Sequence, residues 1–332
     1  MTPPRPARAG RAPVLALLAA LAACADPAPP AASGVEPVAL PAALADRLAA
    51  AGLDARGLDR EGDVYALAEV DVGGGAVLLQ WADLGAVVAE HVLGPKAAGG
   101  AAGLYHPTAP SPSFLPLDPA AVVRQAEARA GAQAAGARAA GALAVLNGAF
   151  FETPGAPSTQ LAFPIAQGGR VVTGGRSPYG PGRPGAEAAR WGRPLRAFAL
   201  GDTLAHVASY EPGTGVPLDQ PAFAEAVVSY APDAHPTRVA ARFHVLGPLD
   251  ADGDGATETL VVATSDGATT IDAPAALLAQ LGVDPARQVA LDGGASVFVW
   301  NRRAGVLHRP APAGGRDPQR LPHYVTLRLR GP

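Results

Sequence analysis

The 332-residue chain contains a single cysteine, Cys24. No disulfide can form within it, so an oxidising compartment adds nothing to its stability. Lysine is as scarce: Lys96 stands alone, the arginines are spread thinly, and the formal net charge is -3. A nucleic-acid partner needs a concentrated basic footprint, and the sequence offers none. The apolar run nearest the N-terminus, Val14 to Ala23, is shorter than the roughly 20 residues a membrane-spanning helix requires. No internal repeat recurs at a solenoid or propeller period. These absences leave a chain whose length suits one large domain or two small ones. Its abundant Ala, Gly, Pro and Arg read as genomic base composition and specify no function.

What is present begins with a leader. Arg5, Arg8 and Arg11 precede the apolar run, which closes in Leu21-Ala22-Ala23-Cys24. That pattern predicts a lipoprotein signal peptide over residues 1–23, cleaved before Cys24, with lipid added to the thiol. An ordinary signal peptide with an incidental cysteine is the alternative. Residues 24–40 include the Pro/Ala-rich stretch Ala25 to Gly34 and predict a tether with little to bury. A domain over residues 41–332 is then expected at the bacterial cell envelope, held to a membrane through the lipid on Cys24.

Strand-like runs dominate that domain. Val64 to Val72, a Gly73-Gly74-Gly75 turn and Val77 to Trp81 predict a hairpin. Leu195–Leu200, Ala205–Tyr210, Ala226–Tyr230, Val239–Leu246, Thr259–Thr264, Val289–Leu291, Ser296–Trp300 and Tyr324–Leu329 read as further strands. Helices are expected from Leu40 to Ala51, from Asp118-Pro119 towards Gly141, and from Asp272 to Gly282. In the second, Asp serves as N-cap and Pro as first helical residue. Pro154 to Arg193, rich in Gly, Pro and Arg, reads as a long functional loop. The expected fold class is α+β, a single domain on a mixed, largely antiparallel β-sheet with a few helices.

Two glycine turns follow buried-strand runs: Leu146-Asn147-Gly148-Ala149-Phe150-Phe151-Glu152 and Leu291-Asp292-Gly293-Gly294-Ala295-Ser296. Glycines let the chain turn sharply, and polar side chains at strand ends beside such turns are where binding and catalysis concentrate. Asp292 is suited to act as general acid or base, as nucleophile, or as metal ligand; closing an Asx-turn is its structural alternative. The N–H groups of Gly293, Gly294 and Ala295, with the Ser296 hydroxyl, offer a nest for an anion. Asn147 donates and accepts, which suits a sugar hydroxyl or phosphate oxygen next to Gly148.

The two motifs, in this order and spacing, resemble those of the phosphodiester glycosidase family, near Asn-Gly-Gly-Phe-Phe and Leu-Asp-Gly-Gly-Gly-Ser. The likeness spans roughly Gly62 to Arg330. Ala149 and Ala295 each replace a family glycine, which at a positive φ would cost roughly 1–2 kcal/mol. The resemblance implies hydrolysis of a sugar-1-phosphodiester, N-acetylglucosamine-1-phosphodiester-like, in a glycan or envelope polysaccharide, with a carbohydrate or sugar-phosphate substrate and no required cofactor. It also implies that Glu152 pairs with Asp292, since glycoside cleavage ordinarily uses two carboxyl groups. The family's phosphate-side arginine matches Arg242 best, with Arg238 as fallback and His235 and His244 nearby. Phe150 and Phe151 read as core or pocket wall.

A separate signal is Asp250-Ala251-Asp252-Gly253-Asp254-Gly255-Ala256-Thr257-Glu258. Alternating oxygen ligands around glycine turns resemble a calcium loop, with Asp250, Asp252, Asp254 and Glu258 as ligands. An acidic turn joining two strands is the alternative. A non-catalytic, glycan-binding envelope lipoprotein with a calcium-braced loop is the competing reading of the whole chain.

Overall fold

The computed structural model describes residues 34–132, 141–151, 156–176, 194–201, 203–312 and 319–331. The leader expected over residues 1–23, Cys24 and Glu152 lie outside the described residues. In chain order the elements begin with α1 (Ala42–Ala50), β1 (Ala55–Glu61), β2 (Tyr65–Asp71), β3 (Ala76–Asp83), β4 (Val87–Leu93), β5 (Lys96–Ala102) and β6 (Pro110–Phe114). Next come α2 (Pro119–Ala132), β7 (Ala142–Asn147), β8 (Thr159–Gln160), β9 (Pro164–Gln167), β10 (Arg170–Gly174), β11 (Leu195–Leu200), β12 (Ala205–Tyr210) and β13 (Ala226–Tyr230). The series ends with β14 (His244–Leu249), β15 (Thr259–Ser265), α3 (Asp272–Gln280), β16 (Val289–Leu291), β17 (Val299–Asn301), β18 (Gly305–His308) and β19 (His323–Leu329).

An 11-stranded sheet runs β1-β2-β3-β15-β14-β16-β13-β11-β12, with β9 and β10 attached through β13. A 5-stranded sheet runs β18-β17-β7-β19-β4, and β5, β6 and β8 form a small third sheet. The fold is α+β, as expected. Among the described residues every strand pair is antiparallel rather than mixed.

Period-two alternation builds the layers. In the large sheet Leu67, Leu78, Leu246, Leu260, Val262 and Leu291 point inward, where they meet Leu143, Leu146, Val299, Val325 and Leu327 of the 5-stranded sheet. Their neighbours Ala66, Ala68, Val77, Leu79, Val261 and Ala263 point outward beneath Leu44 and Leu48 of α1 and Leu277 and Leu278 of α3. On the other side Val122 and Ala126 of α2 pack against Val145, Trp300 and Tyr324. The central strands of the two larger sheets, among them β3, β7, β14 and β15, are thus buried on both faces, which is why they read as almost continuous apolar runs. A polar joint crosses the layers at one end: buried Asp59 of β1 accepts from Asn301 Nδ2 at 2.9 Å and Arg302 Nε at 3.1 Å.

Three expectations change. The supposed loop over 154–193 carries β8, β9 and β10. Gly168 and Gly169, at φ +59° and +70°, turn β9 into β10, because a tight hairpin turn favours two residues at positive φ. The strand expected from Val239 starts only at His244, and the one expected from Ser296 starts at Val299 after a 3-10 turn over Gly294–Ser296. Both delays share a cause: the Arg242 carbonyl accepts from Gly294 N–H at 2.7 Å, so it is spent on that turn. At the other end, the last part of the expected tether over 24–40 is held down, with Val38 N–H donating to Gly57 O at 3.0 Å.

Candidate functional site

β7 and β16 come from different sheets, and their C-terminal ends meet. Asn147 makes the junction. Its Nδ2 donates to the Asp292 carbonyl at 2.9 Å, and its Oδ1 accepts from Phe298 N–H at 2.8 Å. These two main-chain partners fix which end of the amide is oxygen, an assignment otherwise open. The second contact to Oδ1, His244 Nε2 at 2.7 Å, must therefore donate. That leaves His244 Nδ1 to accept from the Thr264 hydroxyl at 2.8 Å. His244 is fully buried, and burial, with nearby His308, pushes its pKa down to about 3, so the neutral tautomer persists. Both acceptor sites of Asn147 face the protein, and the residue is 2% exposed. It braces the site; the contact it keeps for a ligand is at most its second amide hydrogen.

The main chain adds a second stitch. Asp292 N–H donates to Gly148 O at 2.9 Å, and Gly148 N–H donates to His323 O at 3.1 Å. Gly148 is glycine because a Cβ there would overlap the His323 ring. That ring continues the chain of contacts, accepting from Ala149 N–H at 2.8 Å and meeting His91 Nδ1 at 3.0 Å through Nε2. Burial holds both histidines well below their usual pKa, His91 at about 4.

The Asp292 carboxyl is almost enclosed, at 9% exposure. Burial pushes its pKa up to about 7, while hydrogen bonds from the Ser296 side chain and Gly293 N–H pull the other way. Gly293 lies where an added Cβ would come within 2.7 Å of the Arg242 carbonyl. Gly294 sits at φ +63°. No non-glycine residue among the described ones has a positive φ, so Ala149 and Ala295 fit their turns without the strain an alanine would carry there. The anion nest expected at this turn is used from within. Gly293 N–H serves the Asp292 carboxyl, and Gly294 N–H serves the Arg242 carbonyl.

The cation side is Arg242. Its main chain lies under the second turn, and its half-buried side chain reaches the Arg309 carbonyl at 3.5 Å. Arg238, by contrast, pairs with Asp272 of α3 at 2.8 Å. His235 packs its ring against Phe243 (5.3 Å) and Phe150 (5.6 Å) and takes Thr237 N–H on Nδ1 at 3.1 Å. Phe150 also stacks edge-on with Tyr230 and Phe163, and Phe151 packs into the core.

The structure therefore gathers Asn147, Gly148, Arg242, His244, Asp292, Gly293, Gly294 and Ser296 at one place. Glu152, the expected second carboxyl, falls outside the described residues. His91, His308 and His323 belong to this neighbourhood and carry no motif that would single them out.

Comparison with known proteins gives fold likenesses. No protein-family model and no curated protein matches the chain. One similar structure is the catalytic domain of zebrafish N-acetylglucosamine-1-phosphodiester alpha-N-acetylglucosaminidase, auto-inhibited by its pro-peptide. It shows 15% identity and a TM-score of 0.44 over 84% of this chain and 82% of that one. Another is an exported protein of Burkholderia pseudomallei, at 15% identity and a TM-score of 0.37 over 80% of this chain and 74% of that one.

The acidic loop joins β14 to β15 at the end of β14 opposite His244. One ligand atom each from Asp250, Asp252, Asp254 and Glu258 lies within 4.8 Å of the others. Asp250 accepts from Gly253 and Gly255 N–H at 2.6 and 2.9 Å, and Glu258 accepts from Ala251 N–H at 2.9 Å. The loop thus holds its own shape, away from the paired motifs.

Proposed function

We propose that this protein is a phosphodiester glycosidase-type hydrolase acting on a sugar-1-phosphodiester. The observation that carries the reading is the junction itself: the two resembling motifs, 145 residues apart, touch through Asn147 Nδ2 and the Asp292 carbonyl at 2.9 Å. In the reaction the bond from the anomeric carbon to the phosphate oxygen breaks and water adds to the carbon. The sugar leaves as the free hydroxyl and the phosphate as a monoester. Asp292 exchanges the proton at that centre, and a pKa raised to about 7 suits such a group at neutral pH. Arg242 holds the phosphodiester, and Glu152 is proposed as the second carboxyl.

The test is release of sugar from a panel of sugar-1-phosphodiesters by the full chain. Turnover of at least one, with a pH profile turning near 7, is expected. A flat profile removes Asp292 as the proton-exchanging group, and no turnover across the panel leaves the glycan-binding alternative.

Two further proposals concern the rest of the chain. Cys24 is proposed to be the lipidated mature N-terminus at the bacterial cell envelope. Mass spectrometry of the envelope fraction is expected to find an acylated Cys24, and an unmodified mature chain starting elsewhere refutes it. Asp250, Asp252, Asp254 and Glu258 are proposed to bind calcium, bracing the β14–β15 connection. Calcium is then expected to raise the melting temperature relative to chelator, because it binds only the folded loop. Superimposed melting curves with no metal on elemental analysis would leave a plain acidic turn.

A further inference from the structure

His308 is a residue of this neighbourhood to which neither motif gives a role. β17 and β18 pair irregularly at their end: Val299 faces His308 while Trp300 already faces Val306, so Leu307 and His308 together oppose Val299. Val299 and Leu307 both belong to the core between the two sheets, and His308, buried beside them, lies close enough to His244 for the two imidazoles to act on each other's charge. From the opposite sheet, His244 enters the same space beside its strand partner Leu291. The two imidazoles differ in one respect. Both ring nitrogens of His244 are hydrogen-bonded, whereas neither ring nitrogen of His308 has a partner, although the residue is 3% exposed.

A neutral imidazole always carries one N–H donor and one acceptor. Burying both without partners is costly, and native proteins rarely keep such a group without a ligand or water to meet it. The surroundings select the ligand's charge. Arg242 lies close enough for its guanidinium to lower the His308 pKa, with Asp266 acting weakly in the other direction. A metal cation at the imidazole would be repelled by Arg242, whereas an anion would be attracted by the guanidinium and accept the imidazole N–H. The next residue, Arg309, takes the Arg242 side chain on its carbonyl, and Ala311 N–H donates to Ala295 O at 2.7 Å. The segment carrying His308 is thus stitched to the turn that carries Asp292.

We propose that His308, with Arg242, is the contact for the anionic oxygens of a phosphate ester bound beside the Asp292 turn. The choice of phosphate among oxyanions rests on the phosphodiester reading above; the choice of an anion rests on the two donors and their surroundings. His308 is therefore a substrate-binding residue that fixes where the ester's charge lies relative to the Asp292 carboxyl.

The probe is inorganic phosphate added to the full-length protein, with chloride at matched ionic strength as control. Imidazole nitrogen resonances followed by NMR are expected to show one histidine moving saturably with phosphate, and His308→Gln is expected to remove that signal. The same variant should bind phosphate at least about tenfold more weakly, the size expected for losing a hydrogen bond to a charged group. The wild-type titration needs no variant, so a poorly folding His308→Gln leaves the NMR result decisive. Absence of phosphate binding, histidine resonances unmoved at saturation, or unchanged affinity in a folded His308→Gln each overturns the assignment. Phosphate binding through His308 without turnover of any sugar-1-phosphodiester upholds this assignment and removes the hydrolase reading. Turnover with a phosphate-blind His308 does the reverse.

Discussion

Asp292→Asn is expected to lower turnover of a sugar-1-phosphodiester by about 10²–10⁴-fold, the usual loss when a general acid or base is removed. The same change is expected to make the protein more stable at pH 8. The Asp292 carboxyl is raised from 3.8 to about 7 in the folded protein, chiefly by burial. Between those two values the unfolded chain has released the proton and the folded chain keeps it. Stability from this group is therefore full below about pH 4 and is lost as pH rises through 7. At pH 8 the ionised carboxylate opposes folding by up to roughly 4 kcal/mol, a ceiling from about 1.4 kcal/mol per pKa unit. Asparagine keeps the shape and an oxygen for Ser296 and Gly293, and it never ionises. Urea unfolding at pH 8 and pH 3.5 should show the variant ahead at the higher pH and level at the lower. Near-full turnover in the variant returns Asp292 to the closing of an Asx-turn, and identical stabilities at pH 8 remove the raised carboxyl.

The fold class and the hairpin of β2 and β3 were legible because both rest on local signals, alternating apolar residues and a glycine turn. The meeting of Asn147 and Asp292 was legible only as a resemblance, because no local propensity reports contacts between residues far apart in the chain. The roles of the glycines were not legible. Gly148 is set by the His323 ring and Gly293 by the Arg242 carbonyl, and both partners arrive from distant parts of the chain. Gly294 alone is set by its own φ, at +63°. β9 and β10 went unseen although Gly168-Gly169 is a hairpin turn pair, because the surrounding prolines and glycines masked two short strands. His308 lies on β18, a strand of only Gly305–His308, too short to show alternation. Its position opposite Val299 depends on a partner strand whose start was itself misplaced by three residues, from Ser296 to Val299.

Asn147→Ala is expected to destabilise the protein by at least about 3 kcal/mol, because it strands three buried groups at once and each unsatisfied group costs about 1–3 kcal/mol. The groups are the Phe298 N–H, the His244 Nε2–H and the Asp292 carbonyl. Two of them belong to the 11-stranded sheet or its following turn, and Asn147 to the 5-stranded sheet, so the loss falls on the interface between layers. A double-mutant cycle separates this joint from simple loss of packing. Removing His244 after Asn147 should cost much less than removing it from the wild type, because its partner has already gone, and the coupling is expected at about 1–3 kcal/mol. His244→Phe serves as the second change, keeping a ring in the core while deleting both nitrogens. Catalysis should follow the same geometry. Asn147 holds the Asp292 peptide through its carbonyl, so Asn147→Ala should reduce turnover through misplacement of the carboxyl and shift the pH profile with it. A substrate contact would instead lower affinity with the profile unmoved. Additive stabilities in the cycle would mean that the two sheets are held together elsewhere and that the amide contributes nothing beyond its volume.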